Sequence, residues 1–154
     1  MERSIGFLEG VSGHTYDIVY DLLFTTERVI ALNIQHPAEM PFNFGVKELL
    51  FGGLLNRQRE KFDRKKSAEE RLHAYEEKGF DELLAGHRFN IEIPYREVNS
   101  VEIIRGWFQT RLKFKIDSPS LPGSVLYFTL TRDQVLEAQK LIKRPLPLKI
   151  EETN

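Results

Sequence analysis

The sequence predicts an α+β fold: an antiparallel β-barrel of about seven strands, a helical insertion near residues 45–88 after the third strand, and a C-terminal capping helix. Three observations predict it. Apolar and polar residues alternate through the first third of the chain and again from Phe89 to Thr129. Between them, from Gly45 to Arg88, the apolar period lengthens from two toward about 3.6. Near the end, Thr131 and Gln134 stand three residues apart ahead of an apolar stripe, which is the spacing of a capping box. The chain has 154 residues, enough for one domain with one core.

Taken in order, Ser4–Glu9 reads as a short apolar strand, and Gly10-Val11-Ser12-Gly13 reads as a turn cluster. In Thr15–Thr25, Tyr16, Ile18, Tyr20, Leu22 and Phe24 alternate with Asp17, Val19 and Asp21, the signature of a half-buried strand. Thr26-Glu27 makes a hairpin turn into Arg28–Ile34, and His36-Pro37 and Met40-Pro41 break the run. Val46, Leu49 and Leu50 then recur at helical spacing, with Gly52-Gly53 as a stop. Asn56–Lys78 has no Gly or Pro; Ala68, Leu72 and Tyr75 draw one narrow stripe on an otherwise solvated helix. Asp81–Ala85 is a short helix ending at Gly86.

Strands return as Phe89–Pro94, Asn99–Arg105, Thr110–Asp117 and Ser124–Thr129. In the third of these, Leu112, Phe114 and Ile116 face one way and Arg111, Lys113 and Lys115 the other. Val135, Ala138 and Ile142 give the last helix its apolar stripe, and Pro145 stops it. The tail from Leu146 offers Leu148 and Ile150 to an apolar edge. Closing the strands into a barrel removes the exposed edges that an open sheet would carry.

Composition narrows the function. With 22 basic and 23 acidic residues and a formal charge of −1, the chain lacks the basic excess of a nucleic-acid-gripping protein. No run of about 18–20 apolar residues is present, so no membrane-spanning helix is expected, and MERSIGFLEG does not read as a secretory leader. The absence of cysteine excludes disulfides, thiolate metal sites and a cysteine nucleophile. It fits a cytoplasmic setting, with the inner membrane surface as a variant of it.

Two phrases carry a resemblance. Leu23–Ile30 (LFTTERVI) resembles the strand–turn–strand phrase of GRAM-like and bacterial pleckstrin-homology-like domains. Ile93–Val101 (IPYREVNSV) resembles their second phrase, where Ile-Pro-Tyr leads through a bend into a Val-rich strand. Tyr127–Ile142, a strand running straight into a helix, is similar too; together the likeness covers residues 15–34 and 89–144. It implies the pleckstrin-homology-like barrel, a scaffold that hosts lipid-binding, peptide-binding and structural roles. The helical insertion departs from the minimal domain. Lipid-binding members place Lys and Arg in the first loop; here that loop is Gly10–His14, with neither.

No catalytic constellation is legible. His14, His36, His73 and His87 stand far apart, no glycine-rich phosphate loop occurs, and Ser12, His14 and Asp17 lack a nucleophile elbow. The expectation is a non-catalytic interaction or scaffold module, with no cofactor and no metal, binding a protein partner or a second copy. Its contact surface is expected on the insertion: Phe44, Leu49, Leu50, Phe51, Leu54 and Leu55, followed by Arg57, Arg59, Lys61, Arg64, Lys65 and Lys66. Trp107 and Phe108, at a hairpin tip after Gly106, join that surface. An alternative reading takes segment 44–66 as a peripheral anchor on anionic membranes, because an apolar stretch beside a polybasic run suits such an interface.

Overall fold

In the computed structural model, residues 1–13, 18–35, 68–119, 121–146 and 150–153 are described. The strands are β1 (Ser4–Ser12), β2 (Val19–Thr25), β3 (Arg28–Gln35), β4 (Ile91–Pro94), β5 (Val98–Arg105), β6 (Thr110–Ser118), β7 (Leu121–Leu130) and β8 (Ile150–Thr153). Residues 68–76 form helix α1, followed by α2 (Phe80–Ala85), and α3 (Arg132–Lys143) follows β7. All eight strands form one sheet in the order β4-β3-β2-β1-β7-β6-β5-β8. β1 to β7 pair antiparallel, while β8 runs parallel to β5, with Val101 opposite Ile150 and Ile104 opposite Thr153. The α+β class and the C-terminal helix are as expected.

The closed barrel is not. β4 and β8 stand at opposite edges of the sheet. Two devices blunt those edges without closure. β4 is four residues long and ends at Pro94, which has no backbone donor, and the tail adds β8 along the outer edge of β5. The tail therefore supplies a strand where the sequence suggested only apolar contact.

Gly10-Val11-Ser12 does not form the expected turn either, since β1 runs through Ser12. The register slips between Leu8 opposite Leu22 and Val11 opposite Tyr20, and Gly10 sits at φ +58°. This is a β-bulge, and it needs the left-handed backbone that glycine adopts without a Cβ clash. At its far end β1 passes to β7 through Ser12 opposite Thr129, joining the two halves of the sheet.

The main core lies on the face of the sheet that α3 packs against. Phe24, Phe114 and Phe128 are its largest fully buried side chains. Phe128 meets Tyr20 edge-on at 5.9 Å and Phe114 edge-on at 6.0 Å, so one ring ties β2 to β6. Val135, Ala138, Leu141 and Ile142 of α3 seal this core, and Leu146 follows them in. A smaller core lies on the other face, where Leu23, Ile30 and Leu32 meet Leu83, with Phe7, Tyr75, Phe80 and Leu84 around them. α1 and α2 thus cover the outer face of β2–β3. That is why Tyr20 through Thr25 are all buried instead of alternating.

Candidate functional site

Three constellations stand out: two polar clusters that tie elements of the fold together, and one exposed aromatic tip. The first surrounds Asp21, whose side chain is fully buried. The bulge turns the Gly10 N–H toward it, and that group donates to Oδ1 at 3.0 Å. Arg71 of α1 donates from Nε to Oδ2 at 2.6 Å and from Nη2 to Oδ1 at 3.1 Å. The Tyr75 hydroxyl donates to Oδ2 at 2.7 Å. A buried carboxylate with four donors is satisfied, and here those donors fasten the helix returning from the insertion to the sheet. Burial pulls the Arg71 guanidinium down, but the bonds and charge of Asp21 outweigh it and leave its pKa raised. Burial, then the Asp21 charge and hydrogen bond, push the Tyr75 phenol up. The bulge works on both sides, because the Glu9 carbonyl accepts from the Gln134 side chain at the start of α3.

The second constellation joins the two phrases that carried the resemblance. Arg28 faces Pro94 in the β3–β4 register. The Tyr95 hydroxyl donates to the Thr25 carbonyl at 2.8 Å, and the Tyr95 N–H donates to the Glu27 carbonyl at 3.0 Å. Thr25 Oγ1 accepts from the Glu27 and Arg28 amides and donates to Glu2 Oε1 at 2.6 Å, locking the turn. The Arg28 guanidinium meets Glu2 at 3.0 Å, Asp81 at 2.8 Å and Glu92 at 2.8 Å. Glu2 above all holds Arg28 above its ordinary pKa, against the pull of burial, with Asp81 and Glu92 adding to it. Burial also pushes the Tyr95 phenol up. These contacts fix the fold and leave no open donor set aimed at a ligand.

The third constellation is exposed. Arg105 pairs with Thr110 across the end of the β5–β6 hairpin, and the Gly106 amide donates to the Gln109 carbonyl at 2.8 Å. A Cβ on residue 106 would stand 2.8 Å from that carbonyl oxygen, so the tight loop requires glycine there. The loop lifts Trp107 and Phe108 off the sheet, leaving them 94% and 92% exposed. They touch each other edge-on, with ring centroids 6.5 Å apart. Between this tip and the start of α3 lies an open cleft of about 620 Å³, lined by Trp107, Phe108, Leu130, Val135 and Leu136 and flanked by Arg105 and Arg132. Leu136 is 65% exposed on its far wall.

Of the site residues expected from sequence, Trp107 and Phe108 come together at this tip. Phe44, Leu49, Leu50, Phe51, Leu54, Leu55, Arg57, Arg59, Lys61, Arg64, Lys65 and Lys66 lie outside the described residues, as do His14, Asp17 and His36. The face expected to be basic is so: Arg111 and Lys115 are exposed, and Lys113 bridges Glu102 at 3.3 Å and lies 5.8 Å from the Tyr127 ring centre. His73 is exposed and stands 3.8 Å from Glu76. Among the described residues no three His, Asp or Glu side chains gather as a metal site, and no helix is long and apolar enough to cross a membrane.

Sequence reasoning missed Asp21, Arg71 and the α3 wall of the cleft. It also missed Asn90, whose side chain donates to the Leu83 carbonyl at 3.0 Å and accepts from the Asn33 amide at 2.7 Å. An asparagine soon after a short helix was the only local signal for that last role. No family model, curated protein or solved structure matches this chain.

Proposed function

We propose that this chain is a non-catalytic interaction module of the pleckstrin-homology-like class, with its contact surface centred on the Trp107–Phe108 tip. The observation that carries the reading is the exposure of two adjacent aromatic side chains, 94% and 92%, on a hairpin that buries Val98, Val101, Ile103, Leu112 and Phe114 in the main core. Burying large side chains is worth about 1.5–3 kcal/mol each, so leaving this pair in water is a standing cost that contact would relieve. The class assignment is supported by the strand order, by β1 shared between the two halves, by α3 over one end, and by the Tyr95–Thr25 contact between the two phrases. The polar constellations support a scaffold role, since their donors and acceptors are spent on one another. The apolar-then-basic segment 44–66 is a second contact element on the strength of its sequence.

A photoreactive benzophenone side chain introduced at Phe108 tests this. Irradiation in the cells of origin is expected to give adducts, with protein or with lipid, that are absent when the group is placed at exposed Glu70 on α1. Equal labelling at both positions, or none at either, would contradict the reading.

A further inference from the structure

We infer that the occupant of the Trp107–Phe108 tip and its cleft is a second copy of this chain, clasped tip into cleft across a two-fold axis; this rests on the tip being the contact surface. A knob and a hole stand side by side on one molecule. The tip is convex, with both rings exposed and touching each other edge-on. The cleft beside it, about 620 Å³, runs to the start of α3, with Leu130, Val135 and Leu136 in its lining. Sites of roughly 300–1,000 Å³ enclose small organic molecules, so a cleft of this size has room for two aromatic rings. Related by a two-fold axis, two such hooks interlock: each cleft takes the other copy's tip, and the layers run α3, tip, tip, α3. One patch then serves as its own partner, which is the geometry of closed homodimers.

Area and chemistry agree with that arrangement. An aromatic side chain buries about 150–250 Å², so the tip offers about 400 Å² per copy. The facing cleft wall, on which Leu136 is 65% exposed, loses a similar area. Rings and walls of both copies together come to about 1,600 Å², the size of a standard stable interface. The cleft lining contains no carboxylate. Arg132, on its α3 side, is exposed and makes no ion pair among the described residues. A guanidinium over an aromatic face is a favourable contact, and tryptophan is the best aromatic for it. In the clasp each Arg132 meets the other copy's tip. The two tips lie between the two guanidiniums, so like charges do not oppose closure.

The sole tryptophan of the chain is Trp107, so its fluorescence reports on the tip alone. The full chain is followed by sedimentation velocity and by Trp107 emission from about 1 to about 300 μM, a range that spans micromolar affinity. The expected result is a mass that rises from one chain to two and stops there, with a blue shift of Trp107 along the same curve. Leu136→Ser leaves the tip intact but trims the opposing wall, and should raise the dissociation constant about tenfold. Phe108→Ser should do at least as much while keeping the reporter. Arg132→Gln should raise it about threefold. All three side chains are exposed, so the variants are expected to fold.

A single chain at every concentration overturns the inference. A dimer without a Trp107 shift overturns it too, by placing the contact elsewhere on the chain. A mass that climbs past two makes the contact head-to-tail and also overturns it. So does a dimer indifferent to Leu136→Ser, because the tips would then meet without entering the clefts. If the chain stays single while benzophenone at Phe108 still gives adducts with other molecules, this inference fails and the contact-surface reading stands. With no adducts either, both fail.

Discussion

Replacing Asp21 by alanine removes the one acceptor shared by Gly10, Arg71 and Tyr75. The buried carboxylate goes, and its three partners keep their desolvation without their bonds. Breaking a buried ion pair from one side costs about 3–5 kcal/mol. Arg71 is 27% exposed and regains some water, which sets the expectation at the lower end, about 3 kcal/mol. A chain of this size has about 5–15 kcal/mol of stability in all, and the loss should lower Tm by roughly 6–12 °C. Urea unfolding followed by circular dichroism measures it. Asp21→Asn keeps one acceptor oxygen, which serves either Gly10 or Tyr75 but not both in their present places, and loses the charge facing Arg71; it should cost about 2–3 kcal/mol. Arg71→Leu should cost less in the Asp21→Ala background than in the parent chain, because the guanidinium has already lost its ion pair with Asp21. Hydrogen exchange should rise first in α1, which this cluster fastens to the sheet. A loss below about 1 kcal/mol for Asp21→Ala would refute the reasoning.

Other outcomes follow from the same geometry. Gly10→Ala forces a Cβ into the left-handed region at φ +58° and should cost about 1–2 kcal/mol, read by the same unfolding assay. Tyr20, Tyr75 and Tyr95 have raised pKa values, so fewer than the chain's five tyrosines should ionise near pH 10 in an absorbance titration of the folded protein. Because the folded pKa values lie above the unfolded ones, that stability is complete below about pH 10 and falls as pH climbs past it. Tyr95→Phe leaves the Thr25 carbonyl without its 2.8 Å partner and should cost about 1 kcal/mol in denaturant. Trp107→Ser with Phe108→Ser should change stability by less than about 0.5 kcal/mol, because neither ring is packed; a larger loss would show that the tip belongs to the core.

Where neighbours in sequence decide structure, the sequence was readable. The alternation in β6 placed Leu112 and Phe114 inside and Arg111 and Lys115 outside. The Thr131–Gln134 spacing marked the start of α3, where Gln134 Oε1 accepts from the Thr131 amide at 3.0 Å. Of the Ala68-Leu72-Tyr75 stripe, Ala68 is buried and Tyr75 packs against the smaller core. Partners distant in sequence were not readable. Asp21 alternates with apolar residues and so looks like an outward polar position. Its burial depends on Arg71 and Tyr75, about fifty residues on, which look like parts of a solvated helix.

Gly10 gave the same local signal for a bulge as for a turn, and only pairing with β2 separates the two. Barrel closure was argued from the need to hide edges, yet the chain hides them with a short proline-ended strand and a parallel tail strand. The Gly106-Trp107-Phe108 tip was legible because a glycine between two strand patterns marks a hairpin. Its cleft was not, because α3 reaches that place only through the folded sheet.

The central claim is that the Trp107–Phe108 tip is where this chain makes contact. Its most direct test is fluorine NMR of the chain labelled with 5-fluorotryptophan, which gives one resonance because there is one tryptophan. In dilute buffer that resonance should show the full solvent isotope shift of an exposed indole. In a concentrated extract of the cells of origin, membranes included, it should move and broaden and lose that isotope shift. A resonance unchanged from buffer to extract would contradict the account.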